Sequence, residues 1–214
     1  MTLERMTSVM KNKSVFFCYL KDNKKTFLCL IIIFFIGIIL GITFINNVNS
    51  VQSEQIYSYV NSLKDNIKKA ENINRTLLLK QSIKQNSLFV IFIWFLGCTI
   101  LGSFLIYAVV LYKGFSIGYT VSAIIATLGA KTGATFAILS LLLQNIIFLP
   151  MIFILSESGI RLYKNLKQDV YVNMKKEFLR HTVIALITLV VSIISSFIEI
   201  YISTNFLIFF KEIY

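Results

Sequence analysis

The stretch Leu111-Tyr112-Lys113-Gly114-Phe115-Ser116-Ile117-Gly118-Tyr119-Thr120 sits inside a block, Asn86 to Pro150, that is otherwise mostly apolar. Reading outward from it, one apolar run reaches back from Leu111 to Leu88, and another reaches forward from Phe115 to Gly129. A run long enough to cross a bilayer must satisfy its backbone hydrogen bonds internally. The block is therefore expected to be a packed group of membrane helices, with the decapeptide as a polar, glycine-punctuated hinge between two of them.

Composition supports that reading. At 57% apolar and 14% charged residues, the chain falls outside the range of soluble domains and within that of polytopic membrane proteins. A length of 214 residues suffices for one bundle of a few spans and no large soluble domain. The formal charge of +11 comes from basic clusters flanking apolar runs, where anionic headgroups and orientation rules account for them. No nucleic-acid recognition module accompanies the charge, so no nucleic-acid partner is expected. Cys18, Cys29 and Cys98 are an odd set without a disulfide pattern, and His181 stands alone, so neither a metal nor a cofactor is expected. There is no Walker A, HExxH or GxSxG motif and no nucleophile beside a plausible base, so no enzyme is expected.

The chain divides into a basic arm (1–25), a first transmembrane helix (26–45), a helical extracytoplasmic loop (46–87), a core of three transmembrane helices (88–155), a basic loop (156–177), and a fifth span with its tail (178–214). The first run follows basic residues but is longer than a signal-peptide core and lacks a small-residue cleavage site, so it reads as a retained span. In the loop, Ile56, Val60, Leu63 and Ile67 recur at three- and four-residue spacing, the stripe of an amphipathic helix from about Gln55 to Ile73. That stripe can pack on the membrane face or dock a partner. The tail Asn205 to Phe210 is apolar enough to lie in the interface or to lengthen the last helix. The fold expected is an all-α, polytopic membrane bundle of five transmembrane helices with an amphipathic outer helix. Counting Lys and Arg with a cytoplasmic N-terminus puts 13 inside and eight outside, with the C-terminus extracytoplasmic.

Within the core, Gly97, Gly102, Gly114, Gly118, Ala123 and Ala126 are small enough for close helix approach, in the bundle or with a partner's membrane helix. The adjacent Gln144 and Asn145 are placed by the apolar run near mid-span, where their amides require a neighbouring helix or a polar cavity. Pro150 is expected to kink the same helix. Lys113, Glu157 and Glu199 fall near the expected span ends and read as solvated anchors.

Several of these residues carry a family resemblance. Asn86, Ile93-Trp94-Phe95-Leu96-Gly97, the Tyr112 to Val121 hinge, and Gln144-Asn145 with Pro150 make the chain similar to the stage II sporulation protein M family. The resemblance implies a five-span membrane protein acting in forespore engulfment on the mother-cell side of the sporulation septum. There it would localise stage II sporulation proteins D and P, which cleave septal peptidoglycan, and would hydrolyse nothing itself. The alternative is a transport or permease component with a polar midplane site, suggested by Gln144-Asn145, the Pro150 kink and the short third run.

Overall fold

The computed structural model describes residues 24–69, 75–99, 102–138, 143–167 and 174–203. The arm 1–23 and the tail 204–214 lie outside these residues, as do the side chains of Leu63, Ile67 and Gln144. The described residues form seven α-helices in order: α1 (Lys24–Asn46), α2 (Ser50–Lys69), α3 (Arg75–Gly97), α4 (Gly102–Leu128), α5 (Ala130–Ala137), α6 (Leu143–Lys167) and α7 (Met174–Ile198). A π-helical turn, Glu199–Ser203, continues α7. No strand occurs among the described residues.

The tightest seam joins α1 to α4. Gly37 and Gly41 on α1, and Gly114 and Gly118 on α4, form two glycine pairs spaced by four. A Cβ at Gly114 would collide with the Phe34 carbonyl oxygen, and one at Gly118 with that of Ile38. In the other direction, Cβ atoms at Gly37 and Gly41 would strike the main-chain oxygens of Leu111 and Phe115. Residue numbers rise together on both sides, so the two helices run parallel. Bare backbones in contact supply the packing that drives association where expelling water offers nothing.

The remaining helices follow from pairwise contacts. Lys164 Nζ donates to Thr26 Oγ1 at 2.9 Å, and the Phe153 ring meets Phe27 and Phe34 edge-on, so α6 runs antiparallel to α1. Trp94 pairs with Thr182, Asn86 with Ser196 and Ser82 with Glu199, so α3 runs antiparallel to α7. Thus α1, α4 and α7 point one way, and α3 and α6 the other.

The structure corrects the expected segmentation. The run 88–111 is not one helix: α3 ends at Gly97, and Cys98 N–H and Thr99 N–H bond back to the Phe95 and Leu96 carbonyls in a tight turn. Gly102 is needed to leave that turn, because a Cβ there would overlap the Leu96 carbonyl. The expected hinge Leu111 to Thr120 is instead the middle of the 27-residue α4, and the run from Phe115 to Gly129 is its second half. A turn does occur at Gly129, whose φ of 83° suits glycine, between α4 and α5. α6 continues through Pro150 and past residue 155 to Lys167.

Among the described residues four helical segments are long and apolar enough to cross a membrane, where five were expected: Lys24–Asn46, Gly102–Leu128, Asn145–Asn165 and Met174–Tyr201. α3 has the length, but its first half carries Lys80, Gln81, Ser82, Lys84, Gln85 and Asn86. The bundle is apolar outside, with Phe35, Ile39, Phe95, Leu186 and Val190 exposed, as a lipid-facing surface requires. Its interior combines apolar clusters around Phe34 and Phe148 with many buried polar groups.

Candidate functional site

The polar interior is organised by α7. Glu177, His181, Thr188, Ser192, Ser195 and Ser196 are all buried, and with Ala185 and Glu199 they recur every three or four residues, forming one stripe along the helix. Polar side chains within a membrane bundle face the interior because hydrocarbon offers them no partner.

Towards the C-terminal end of α7, the stripe meets α3 in a directed hydrogen-bond network. The Asn86 amide donates to Ser196 Oγ at 3.0 Å and to Ser82 Oγ at 3.3 Å. The Ser82 hydroxyl donates to Glu199 Oε2 at 2.6 Å, and the Ser196 hydroxyl to the Ser192 carbonyl at 3.0 Å. Ser82 Oγ also lies 3.0 Å from Ser196 Oγ, and the network ends on Glu199, held in a π-helical turn, a backbone form frequent at functional positions.

Lys113 supplies the opposite charge. Its neighbour Gly114 packs on Phe34, ten residues into α1 and therefore about 15 Å from the start of that helix, near mid-bilayer. Lys113 is consequently neither in a loop nor at an interface, contrary to expectation. Its ammonium lies 5.4 Å from the centre of the Phe89 ring and 5.6 Å from that of Phe148, in the range of cation–π attraction, and within electrostatic reach of Glu199. Glu157, also expected to be solvated, is buried in α6, and Glu199 is only partly exposed.

A second knot lies nearer the start of α7. His181 is fully buried, with Nε2 3.3 Å from the Trp94 carbonyl and Nδ1 3.1 Å from Ser158 Oγ. A carbonyl only accepts, so Nε2 carries the proton, and His181 caps an oxygen left over where α3 ends. Gly97 and Gly159 make room for the ring: a Cβ on Gly97 would strike the imidazole and approach Gly159 Cα to 3.0 Å. Trp94 Nε1 donates to Thr182 Oγ1 at 3.3 Å, and Glu177 pairs with Arg180 and, at 3.9 Å, with Arg161. Gly97→Val is expected to cost about 1–3 kcal/mol through overpacking, measured as a lowered midpoint of thermal unfolding in detergent.

The residues singled out from sequence are dispersed. Gly114 and Gly118 belong to the α1 seam, Gly97 to the His181 knot, Gly102 to the α3–α4 turn and Lys113 to the charged centre. Ala123 is buried and Ala126 exposed. Asn145 is buried, but it lies two residues into α6 and not at mid-span; Pro150 is exposed on the same helix. Ile56 and Val60 face a groove against α4 within this chain. Sequence reasoning missed Gly37, Gly41 and the α7 stripe, although both are written in plain four-residue spacings. Cys29, exposed, and Cys98, half-buried in the turn after Gly97, are free thiols, and no group of His, Cys, Asp or Glu among the described residues could hold a metal.

Comparison with known proteins gives one family: the model described as stage II sporulation protein M matches residues 30–204. No curated protein matches the chain. No solved structure matches it either.

Proposed function

Because the chain belongs to the stage II sporulation protein M family and is thus a sporulation-associated membrane protein, we propose that it is a membrane scaffold of the forespore engulfment machinery. It recruits peptidoglycan-degrading partners, the stage II sporulation proteins D and P, to the mother-cell side of the septum and hydrolyses nothing itself. The family match carries this reading.

The distribution of charge supports an orientation. Lys24, Lys25, Arg161, Lys164, Lys175, Lys176 and Arg180 gather at the end where α1 starts, which supports a cytoplasmic position for that end and an extracytoplasmic one for the end of α7. In this arrangement α3 is the fifth crossing, carried by its polar contacts with α7. A partner with a single membrane helix has apolar exterior to pack on, including the exposed small residue Ala126.

A detergent pulldown of tagged protein from sporulating cells is the test. Both hydrolases should co-purify, and Ala126→Leu at unchanged expression should reduce their recovery several-fold if that face is used. Complete absence of hydrolases, under conditions that preserve other membrane complexes, would sink the scaffold. The half-buried charges Lys113 and Glu199 within the bundle favour the second reading, a transport component, which liposome flux assays address directly.

A further inference from the structure

Two opposite charges lie inside the bundle without touching. Ser82 holds the Glu199 carboxylate, and the Lys113 ammonium lies over the Phe89 ring. Ser82 and Phe89 both belong to α3, seven residues apart, which puts about 10 Å of helix between the two holding points. Asn86 stands between them on the same face and is buried. Among the described residues no ion pair joins Lys113 to a carboxylate, and no oxygen accepts a hydrogen bond from its ammonium. The Asn86 amide nitrogen donates to Ser82 and Ser196, but none of the described residues donates to its oxygen. Neither Lys113 Nζ nor Asn86 Oδ1 is fully enclosed.

A charge this far inside a membrane is held by a partner or by water. The Phe89 and Phe148 rings attract the ammonium, but they leave its three N–H groups without an oxygen to bond. Water between the charges finds donors on Lys113 and acceptors on Asn86 Oδ1 and Glu199, the two to four polar partners that an internal water requires. Access comes from the end where α7 finishes, because Ser82 and Glu199 are both half-buried there. The opposite side is closed: Val90, Ile93, Phe148, Ile152 and Leu155 pack beneath the ammonium with essentially no exposed surface.

We propose that a hydrated crevice enters the bundle between α3 and α4 at the end of α7, extracytoplasmic in the orientation given above, and ends on the Lys113 ammonium. The waters run from Glu199 past Asn86 and couple the two charges, where bulk water would screen them. The apolar cluster under Phe89 and Phe148 is the floor, so the path is open to one side of the membrane only. This site rests on neither the scaffold nor the transport reading.

The test uses the full chain in nanodiscs of phosphatidylglycerol and phosphatidylethanolamine. Brief X-ray irradiation turns water into hydroxyl radicals that modify the side chains they touch, and peptide mass spectrometry reads the modified residues. Phe92 and Phe95, exposed to lipid on the same helix, are the dry reference. Phe89 is less exposed than either, yet it should be modified at least five-fold faster. Asn86→Leu, which puts an apolar side chain across the path, should remove that excess and leave Phe92 and Phe95 unchanged. Ser82→Val closes the mouth and serves if Asn86→Leu does not elute as a folded protein. Phe89 modified no faster than Phe92 and Phe95, or modified equally in the unmodified protein and the variants, overturns the proposal. So does modification of Ile93 as fast as Phe89 after correction for intrinsic reactivity, because water would then pass the floor.

Discussion

Lys113→Met is expected to leave the half-buried Glu199 carboxylate without its neighbouring cation, lowering stability by about 1–2 kcal/mol, less than an unpaired charge at mid-membrane because Glu199 lies at the end of α7 and is partly exposed. Glu199→Gln should cost a similar amount, because it isolates the ammonium over Phe89 and Phe148, which gives back only part of the lost attraction. The decisive variant is the double one. Lys113→Met with Glu199→Gln removes both charges, retains the hydrogen bond from Ser82, and should recover most of the loss, as is common when a buried pair is replaced by neutral groups. Thermal unfolding in detergent, read from the loss of helical circular dichroism, measures all three. Single variants as stable as the unmodified protein would show that the two charges are solvated after all. If the double variant folds well but loses partner recovery or flux, the pair is retained for function at some cost to stability.

Gly118→Leu is the second large effect. Its side chain would be driven into the Ile38 carbonyl, main chain against side chain, with no rotamer that avoids the facing helix. The seam can relieve this only by separating, which forfeits the approach at Gly37, Gly41 and Gly114 together. A loss of at least about 3 kcal/mol is expected, at the upper end for overpacking, with aggregation or degradation of the protein in cells. Gly118→Ala is the graded control and should be intermediate. A cross-linking scan offers an independent check: cysteines at Phe44 and Phe115, whose rings meet at 5.8 Å, should be joined by a short bifunctional reagent if α1 and α4 are parallel, and should not be if they are antiparallel.

The errors in reading the sequence have specific causes. α1 is found to within about two residues, because its apolar run is bounded by lysines and asparagines. The Leu111–Thr120 stretch looks like a hinge because glycine and lysine break helices and apolar runs in soluble proteins. In a membrane helix, glycine permits close packing and a lysine can be held by neighbouring helices, so the same letters lie in the middle of α4. The true break is hidden for the converse reason: Cys98-Thr99-Ile100-Leu101 is too apolar to register as a turn, and Thr99 bonds back to Leu96 through both its N–H and its hydroxyl. α3 fails the hydropathy criterion because its polar residues find partners 110 to 117 residues away, and no local window contains that information. The α7 stripe was legible in its spacing, but periodicity among serines reads as a wet face until the helix is known to be surrounded by lipid.

The dependence of α3 on α7 has a consequence for biosynthesis. Chains enter the membrane from the N-terminus, and α1 is apolar enough to remain there alone. α3 is not: Ser82 and Asn86 acquire Ser196 and Glu199 as partners only when the last described helix has been made. The parallel α1–α4 seam, moreover, cannot form until α3 has carried the chain back across the bilayer. Nascent chains stopped before α7 should therefore expose α3 to the insertion machinery or to membrane proteases, and the final helix acts as a checkpoint that commits the earlier ones to their places.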